Sequence, residues 1–344
     1  MKKKNQHSAS ARIIRKVVVG ASVAMACGMG ALMLPLAAHA ASFFSQKDLF
    51  GQGRPAGTGG VTTINGAAGG GVVPWALISG YGAAGQIGFT AFFTNFTTAN
   101  YVGNAYGVSA GISNRVEVSI AQQNFSLGNT GPYLASVLGA PYGTAGSPAN
   151  AGGILQDNAA INQDIVGVKV RVFGNTIYQQ HTWMPQIAVG AQYHHNEDGA
   201  LMTALGTKSS GMSYYLALTK VWMKGLFGHA TLLDFTLDAT RANYNGLFGF
   251  QGPYGGDTSY HYEPEVSAGI FLNPKVVLGG EYRAMPQNEL NVGPALSQTS
   301  AWKDVYVAYI PNKNLSLTFA YAMLGHISGV PNNNGLYASL TTSF

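Results

Sequence analysis

The sequence predicts an all-β fold, a transmembrane outer-membrane antiparallel β-barrel of 12–14 strands. Three observations carry this prediction. Only 10% of the 344 residues are charged, whereas soluble domains usually carry about a quarter. Glycine is abundant at 46 residues, and Tyr and Phe add 18 and 16 more. Segments of about ten residues alternate between apolar and polar side chains, which is typical of barrel strands in a bilayer.

The first 40 residues have the pattern of a secretory signal peptide. The basic start MKKKNQHSASARIIRK precedes an apolar run over residues 17–38, and Ala38-His39-Ala40 forms a small-residue cleavage motif. The run is long enough for a membrane helix, but Pro35 and the many Gly and Ala residues favour cleavage near Ala40. We therefore expect a signal peptide at 1–40, an N-terminal lead-in or plug at 41–60, and a transmembrane β-barrel at 61–344.

Removal of the signal peptide changes the charge and the cysteine content. The chain has 19 Lys and Arg against 14 Asp and Glu, and six of the basic residues lie in the first 40 positions, which leaves 13 against 14. A mature net charge of −1 predicts no nucleic-acid partner. Cys27 is the one cysteine, so neither a disulfide framework nor a thiolate metal site is expected.

The strand pattern also predicts which charges face the lumen. In the segment Asp164–Phe173 the valines at 166, 168, 170 and 172 share one face, and Lys169 and Arg171 share the other. A Lys or Arg that faces the bilayer midplane costs about 2–4 kcal/mol, so the charged face must point inward. By the same rule, the predicted lumen-lining residues are Arg115, Glu117, Lys169, Arg171, Asp234, Asp238, Glu263, Glu265, Glu281, Arg283 and Asp304.

The connections between the strands separate into two kinds. Short turns occur at Ser113-Asn114, Lys224-Gly225, 273–275 and 311–313, and long Gly-, Asn- and Pro-rich loops occur at 127–163, 196–210 and 243–258. We expect the short turns to be periplasmic and the long loops extracellular. The last strand ends at Phe344, an aromatic terminus through which outer-membrane assembly machinery is expected to recognise the chain.

The run Gly80-Tyr81-Gly82-Ala83-Ala84-Gly85 matches the G-x-G-x-x-G pattern of dinucleotide-binding sites. That fingerprint requires a helix after the third glycine. Here the sequence QIGFTAFFTNF follows, which alternates and is rich in aromatic residues, so it predicts a strand. We interpret the glycines as a turn and predict no cofactor.

Thirteen strands can be counted from residue 72 onward, the first centred near Leu77 and the last near Leu340. Bacterial barrels normally have an even number of strands. We favour 14, with Val61–Gly66 as a short additional first strand, and keep 12 as the alternative.

Several linked motifs resemble a known family. They include GGVTTINGAAGGGVVPWALISGYG, WMPQIAVGAQYHHN, LGGEYRAMPQN and WKDVYVAYIPNKNLSLTFAYAMLG. Together they are similar, over most of residues 50–344, to the proteobacterial family known as domain of unknown function 3034. The resemblance implies an exported outer-membrane-type protein, and it implies no catalytic residue.

Two residue groups carry further predictions. The adjacent His194 and His195 point to opposite faces of a strand and are not expected to chelate a metal together. Trp75, Trp183, Trp222 and Trp302 are predicted to form an aromatic girdle at the bilayer interfaces. Phe92, Tyr106 and Tyr306 are the aromatic residues with a candidate inward orientation.

Three functions remain open from the sequence. The first is a narrow channel for small solutes, lined by the inward charges. The second is a structural or surface-interaction barrel whose lumen is closed by ion pairs or by a plug. The third and least favoured is a lipid-modifying enzyme, for which His229, His261 or His326 would need a serine within hydrogen-bond reach. We predict no enzyme, no catalytic residue and no metal, and a location in the outer membrane of a Gram-negative bacterium.

Overall fold

Twelve antiparallel strands close into a barrel in the computed structural model, which describes residues 49–51, 53–59, 61–131, 160–250, 259–285 and 299–344. The barrel belongs to the compact unit Gly51–Phe344. In chain order the strands are β1 Ile87–Thr98, β2 Val102–Ile112, β3 Val116–Ser126, β4 Ala160–Phe173, β5 Gln186–Asn196, β6 Ser210–Trp222, β7 Thr231–Thr240, β8 His261–Asn273, β9 Val276–Arg283, β10 Trp302–Asn312, β11 Leu315–Met323 and β12 Asn334–Ser343.

Each strand pairs with the next one along the chain, and β1 pairs with β12 to close the ring. The closing register runs from Thr90 opposite Ser343 to Thr98 opposite Gly335. The twelve-strand alternative is thus confirmed, and the favoured count of 14 is wrong. Residues 61–66 and the segment around Leu77 form isolated bridges and irregular backbone before β1. Their backbone groups bond to inward-facing side chains of the barrel instead of extending the sheet.

The two faces of the barrel wall differ as the alternation predicts. On β4, Val166 and Val168 are 40% and 44% exposed, whereas the alternating residues Gly167 and Lys169 are buried. The same alternation of exposed apolar and buried small or polar residues runs along β8 and β10. An apolar exterior and a polar interior are the pattern of a barrel that is surrounded by lipid.

The connections segregate at the two ends as predicted. Turns at 113–115, 223–230, 274–275 and 313–314 lie at the same end as the start of β1 and the end of β12, together with the longer connection 174–185. The opposite end carries the β5–β6, β7–β8 and β11–β12 loops and the short helix α1, Gly199–Ala204. Short 3-10 turns occur at Gly128–Thr130, Leu226–Gly228 and Tyr244–Gly246. Residues 132–159 of the predicted loop 127–163 and residues 251–258 of the predicted loop 243–258 lie outside the described residues.

The glycine-rich run before β1 is a turn, as expected. Gly80 and Gly85 have φ angles of +70° and +79°, which side-chain-bearing residues rarely adopt. The chain then enters β1, so the helix that a dinucleotide site requires does not follow.

The aromatic predictions hold in part. Trp183 and Trp222 are exposed, as an interfacial girdle requires, but Trp75 and Trp302 are buried within the barrel. Phe92 and Tyr306 do point inward, whereas Tyr106 is 45% exposed on the outer face because it lies on the even-numbered, outward side of β2. Burial of Trp75 follows from its place in the chain segment that enters the lumen.

Among the described residues, no helix has the length and hydropathy needed to cross a membrane. The predicted signal peptide at 1–40 and the first part of the lead-in, residues 41–48, lie outside them.

Candidate functional site

The lumen is filled by residues 61–81, which we call the inserted segment. Most of these residues are buried, and Val73, Ala76 and Ile78 have no exposed surface. Arg54 and Thr58, from the predicted lead-in or plug at 41–60, are also buried. The predicted domain boundaries otherwise stay a prediction.

Backbone groups of the inserted segment bond to side chains on the barrel wall. Thr219 Oγ1 on β6 accepts a hydrogen bond from Ala76 N at 2.6 Å, and Thr236 Oγ1 on β7 donates one to Pro74 O at 2.8 Å. On β9, Glu281 Oε2 accepts a bond from Val72 N at 2.8 Å. A buried backbone group is costly unless it is paired, and the wall supplies these partners around the circumference.

Lys169 and Glu117 hold the inserted segment at two places, residue 68 and residues 77–79. They face each other on β4 and β3, with Lys169 Nζ 3.1 Å from Glu117 Oε1, and both are almost fully buried. Lys169 also donates to Ala68 O at 2.9 Å and to Leu77 O at 2.8 Å. Glu117 accepts hydrogen bonds from Ala68 N at 3.0 Å and from Ser79 N at 2.8 Å.

A second charged cluster surrounds Arg283 on β9. Its Nη2 lies 3.1 Å from Asp238 and 3.3 Å from Glu263, and its Nε lies 3.1 Å from Glu265. All four side chains are buried. Oxygens of the three carboxylates lie within 4.8 Å of one another, a grouping that suits a metal ion, but the guanidinium already neutralises one of their charges.

Glu281 on β9 and Asp304 on β10 are directly opposite each other in the sheet register and both are buried. Glu281 Oε1 and Asp304 Oδ1 have no hydrogen-bond partner among the described residues. Gly70 lies against this pair, since a Cβ at that position would come 1.6 Å from Glu281 Oε1. Only glycine permits the inserted segment to approach so closely.

Buried amides hold the tip of the inserted segment. Asn65 Nδ2 donates to Asn245 Oδ1 at 2.9 Å, and Asn245 Nδ2 donates to Asn65 Oδ1 at 2.6 Å. Gln123 on β3 donates to Asn65 Oδ1 at 2.8 Å, and Asn65 donates to Gln192 on β5 at 3.1 Å. The β7–β8 loop, which carries Asn245, thus meets the inserted segment inside the barrel.

Apolar side chains cover the loop end of the lumen. Phe125 at the end of β3 packs against Tyr101 and Phe248, with ring centroids 4.9 and 6.5 Å apart. Tyr244 stacks edge-on against Phe248 and accepts a hydrogen bond from Ser328 N at 2.6 Å. Burial raises the pKa of the Tyr244 hydroxyl above its ordinary value, and the bond from Ser328 opposes that shift. These contacts join the β7–β8 and β11–β12 loops across the barrel mouth.

Open space is unequal along the barrel axis. Cavities beside the inserted segment have volumes of about 30 and 50 Å³, which is room for a water molecule or two. A cavity of about 400 Å³ lies at the turn end, lined by Pro55, Thr58, Ile177 and Phe271 among others. The lumen is therefore wide at the turn end and closed where the inserted segment crosses it.

The predicted lumen-lining residues fall on opposite walls. Glu117, Lys169 and the half-buried Arg171 lie on β3 and β4. Asp234, Asp238, Glu263, Glu265, Glu281, Arg283 and Asp304 are buried on β7 to β10. In a ring of twelve strands β3 and β4 stand opposite β9 and β10. Arg115 is different, because it lies in the turn before β3 and is exposed.

Sequence reasoning missed the neutral residues of the site. Asn65, Gln123, Gln192, Thr219 and Thr236 hold the inserted segment as much as the charges do. Their signal was present for the strand residues, since each lies on the predicted inward face of its strand. Nothing in the local pattern of residues 61–81 predicted that the chain enters the lumen.

His194 and His195 lie on opposite faces of β5, as the alternation predicts. His194 is buried beside the Phe250 ring, with centroids 5.7 Å apart, and His195 is exposed on the other face. Ser300 Oγ lies 3.5 Å from His326 Nδ1 and accepts a hydrogen bond from His326 N. In the part of the chain that the structure describes, no carboxylate bonds to this His326 ring, so the described residues do not complete the triad that a hydrolase uses.

A closed antiparallel barrel with an apolar exterior and a polar, charged interior defines an outer-membrane β-barrel protein. Such a protein lies in the Gram-negative outer membrane, and its outer face contacts lipid. Within that class the chain belongs to the family described as protein of unknown function (DUF3034), which matches residues 58–341.

Several solved structures resemble the barrel. The KdgM porin is 9% identical and aligns over 74% of this chain and 99% of its own, with a TM-score of 0.43. The COG4313 outer membrane channel from Pseudomonas putida F1 is 10% identical over 79% of this chain and 97% of its own, with a TM-score of 0.39. Outer membrane phospholipase A from Escherichia coli is 11% identical over 76% and 90%, with a TM-score of 0.34.

These similarities concern the barrel fold alone. The set includes both channels and an enzyme. A comparison with curated protein sequences found no match.

Proposed function

We propose that the protein is an outer-membrane channel for small solutes and that the inserted segment is its movable plug. The observation that carries the proposal is the way in which the segment is held. Hydrogen bonds link its backbone to the wall, four of them to the buried ion pair of Lys169 and Glu117, and several glycines keep it narrow. Such contacts can be exchanged for water when the segment moves, and the inward charges, Arg115 at the rim included, then line the opening.

Two features support an opening along the existing wall. The strands close through their own hydrogen bonds, with β1 paired to β12, so the barrel does not need the inserted segment to complete its sheet. The cavity of about 400 Å³ at the turn end already leads to the segment. Displacing residues 61–81, together with the β7–β8 loop that Asn245 ties to Asn65, would join this cavity to the loop end.

The proposal extends to the rest of the chain. It assigns no enzymatic activity, and we expect Ser300→Ala to leave every transport property unchanged. Residues 1–40 act as a signal peptide that is cleaved near Ala40. Phe344 serves as the signal to the assembly machinery, in keeping with its 53% exposure at the end of the last strand.

A structural barrel with a permanently closed lumen is the second candidate. It is favoured by the number of buried groups of the inserted segment that have partners on the wall, because a fully satisfied polar network makes a rigid interior. The two candidates differ in one respect: a channel must conduct when the inserted segment is free to move.

A reversible crosslink tests this difference. A Cβ on Gly66 would lie 3.6 Å from Ser119 Cβ on β3, which is within the range of about 3.5–4.5 Å that disulfides span. Gly66 has a φ of +90°, and its Cβ would also lie 3.0 Å from Ala121 Cβ, so the substitution carries strain and folding of the reduced variant is checked first. The only natural cysteine, Cys27, lies in the predicted signal peptide. The variant Gly66→Cys/Ser119→Cys therefore ties the tip of the inserted segment to the wall under oxidising conditions and releases it under reducing conditions.

The matched control crosslinks the wall to itself. Thr94 and Ser339 face each other on β1 and β12, with their hydroxyl oxygens 2.8 Å apart, and Thr94→Cys/Ser339→Cys leaves the inserted segment free. In planar bilayers we expect discrete steps from the wild type and from the control in either redox state. The Gly66→Cys/Ser119→Cys protein should conduct only when it is reduced. Silence from all folded proteins contradicts the channel, and conduction by the oxidised test variant contradicts the plug.

A further inference from the structure

The carboxylates of the lumen outnumber its basic groups, and the excess lies on one wall. Inward positions of β7 to β10 carry six carboxylates, Asp234, Asp238, Glu263, Glu265, Glu281 and Asp304, against the single guanidinium of Arg283. All seven side chains are buried. An uncompensated buried charge is unfavourable, and among the described residues this wall has one basic group for its six carboxylates.

Two of the positive groups elsewhere in the lumen, Lys169 and Arg54, are already bonded, whereas the half-buried Arg171 has a buried Nη1 without a hydrogen-bond partner among the described residues. Lys169 is paired with Glu117 and donates to two carbonyl oxygens. Arg54 donates to the carbonyl oxygens of Ile78 and Gly80 at 2.6 and 2.9 Å. An anion in the lumen would have to compete with these partners, and on the opposite side it would face carboxylates.

Within the acidic wall, the carboxylates are not neutralised equally. Asp238, Glu263 and Glu265 share Arg283, and Asp234 accepts hydrogen bonds from the hydroxyls of Thr219 and Thr236. Glu281 and Asp304 form no ion pair among the described residues. They are only 5% and 9% exposed. Each has an oxygen without a hydrogen-bond partner, as Asp238 and Glu265 also do, so the lack of an ion pair is what distinguishes them.

The unpaired carboxylates also border open space. Asp304 lines the cavity of about 30 Å³ together with Gly70, Gly71 and Tyr306, and Glu281 Oε1 lies against Gly70. When the inserted segment withdraws, Gly70 and Gly71 leave this place and the space in front of the two carboxylates widens. The contact from Val72 N to Glu281 is lost in the same movement.

We infer that the channel selects cations, and that Glu281 and Asp304 form the cation-binding position along its path. This inference rests on the proposed channel function and names the class of solute that the channel takes. Two adjacent carboxylates with free oxygens attract a cation and repel an anion at the same point, which is how rings of acidic side chains select ions in other pores.

The test is the ion selectivity of the open channel. The reversal potential of the wild type in a KCl gradient reports the permeability ratio of K⁺ to Cl⁻, and we expect K⁺ to be favoured. Glu281→Gln/Asp304→Asn should lower that ratio by about fivefold, the factor that a unit charge at contact distance in water produces.

The control also removes two negative charges, but from the outside of the barrel. Asp164 on β4 and Glu197 in the β5–β6 loop both contact Gln122 Nε2, at 3.0 and 3.4 Å, in partly exposed positions. We expect Asp164→Asn/Glu197→Gln to keep the wild-type ratio.

The outcomes separate the two proposals. Steps that favour Cl⁻, or a ratio that Glu281→Gln/Asp304→Asn leaves unchanged, overturn the cation inference while the channel stands. The absence of steps from a folded wild type and from the reduced Gly66→Cys/Ser119→Cys protein overturns both.

Discussion

Lys169 and Glu117 form a buried ion pair whose two members also bond to the backbone of the inserted segment at two places, residues 68 and 77–79. The pair therefore joins two neighbouring strands to the inserted segment. Its position on β3 and β4 brings residues that are about 100 positions apart in the chain into one hydrogen-bonded unit.

Removing the positive charge of this ion pair should destabilise the barrel strongly. Lys169→Met leaves Glu117 buried without its partner, and breaking a buried pair in this way typically costs about 3–5 kcal/mol. Urea unfolding in lipid vesicles measures the loss. The double variant Glu117→Gln/Lys169→Met should regain part of it, because the unpaired charge is gone. Lys303→Met, at an exposed position on β10, is the control, and an equal loss there would contradict the assignment.

Gly70 is expected to be indispensable for the insertion of residues 61–81. Gly70→Ala places a Cβ 1.6 Å from Glu281 Oε1, so either the carboxylate or the segment must move. We expect a higher open probability in planar bilayers and faster cleavage of the segment by a protease added to detergent-solubilised protein. Gly199→Ala is the matched control, since a Cβ there meets nothing within 4 Å. Identical behaviour of the two variants would contradict the close packing at Gly70.

The two asparagines at the tip should act as one energetic unit. Asn65→Ala and Asn245→Ala each remove the two reciprocal hydrogen bonds between the amides. Each of these hydrogen bonds contributes about 1 kcal/mol to stability. A double-mutant cycle on the free energy of unfolding should give a coupling energy between about 0.5 and 3 kcal/mol. Additive effects would mean that the β7–β8 loop and the inserted segment are independent.

Arginine substitutions on the outer face should depend on depth. Val166 lies in the middle of β4 and Val172 next to its end, and both are exposed outside the barrel. Val166→Arg should cost about 2–4 kcal/mol of stability in vesicles and Val172→Arg at most about 1, because the cost falls toward the interface. Equal costs at the two positions would contradict the placement of the barrel in the bilayer.

The sequence predicts the wall far better than it predicts the interior. Val166, Val168 and Lys169 show why: the period of two is imposed on every strand by lipid on one side and water or polar groups on the other. No such rule governs residues 61–81, whose conformation depends on partners as distant in sequence as Glu281 and Thr219. Their apolar and glycine-rich composition suits a strand as well as an inserted segment, which explains the two surplus strands in the predicted count.

The lumen residues divide in the same way. Inward orientation of Glu265 and Asp304 follows from the alternation alone, but the sharing of Arg283 among three carboxylates depends on the register between β7, β8 and β9. Arg115 shows the limit of the pattern, since it has the parity of the inward face but lies beyond the end of the strand. Trp75 and Trp302 were misplaced because strand ends at the interface and residues inside the mouth share the same composition.

The backbone of Phe344 connects two parts of the molecule. Phe344 O accepts hydrogen bonds from Tyr81 N at 2.9 Å and from Phe89 N at 3.0 Å, and Phe344 N donates to Phe89 O. The end of the chain therefore joins the point where the inserted segment leaves the lumen to the seam where the sheet becomes a ring. Closure of the sheet and anchoring of residues 61–81 therefore share one residue, so that loss of the Phe344 backbone groups would remove hydrogen bonds from both places at once.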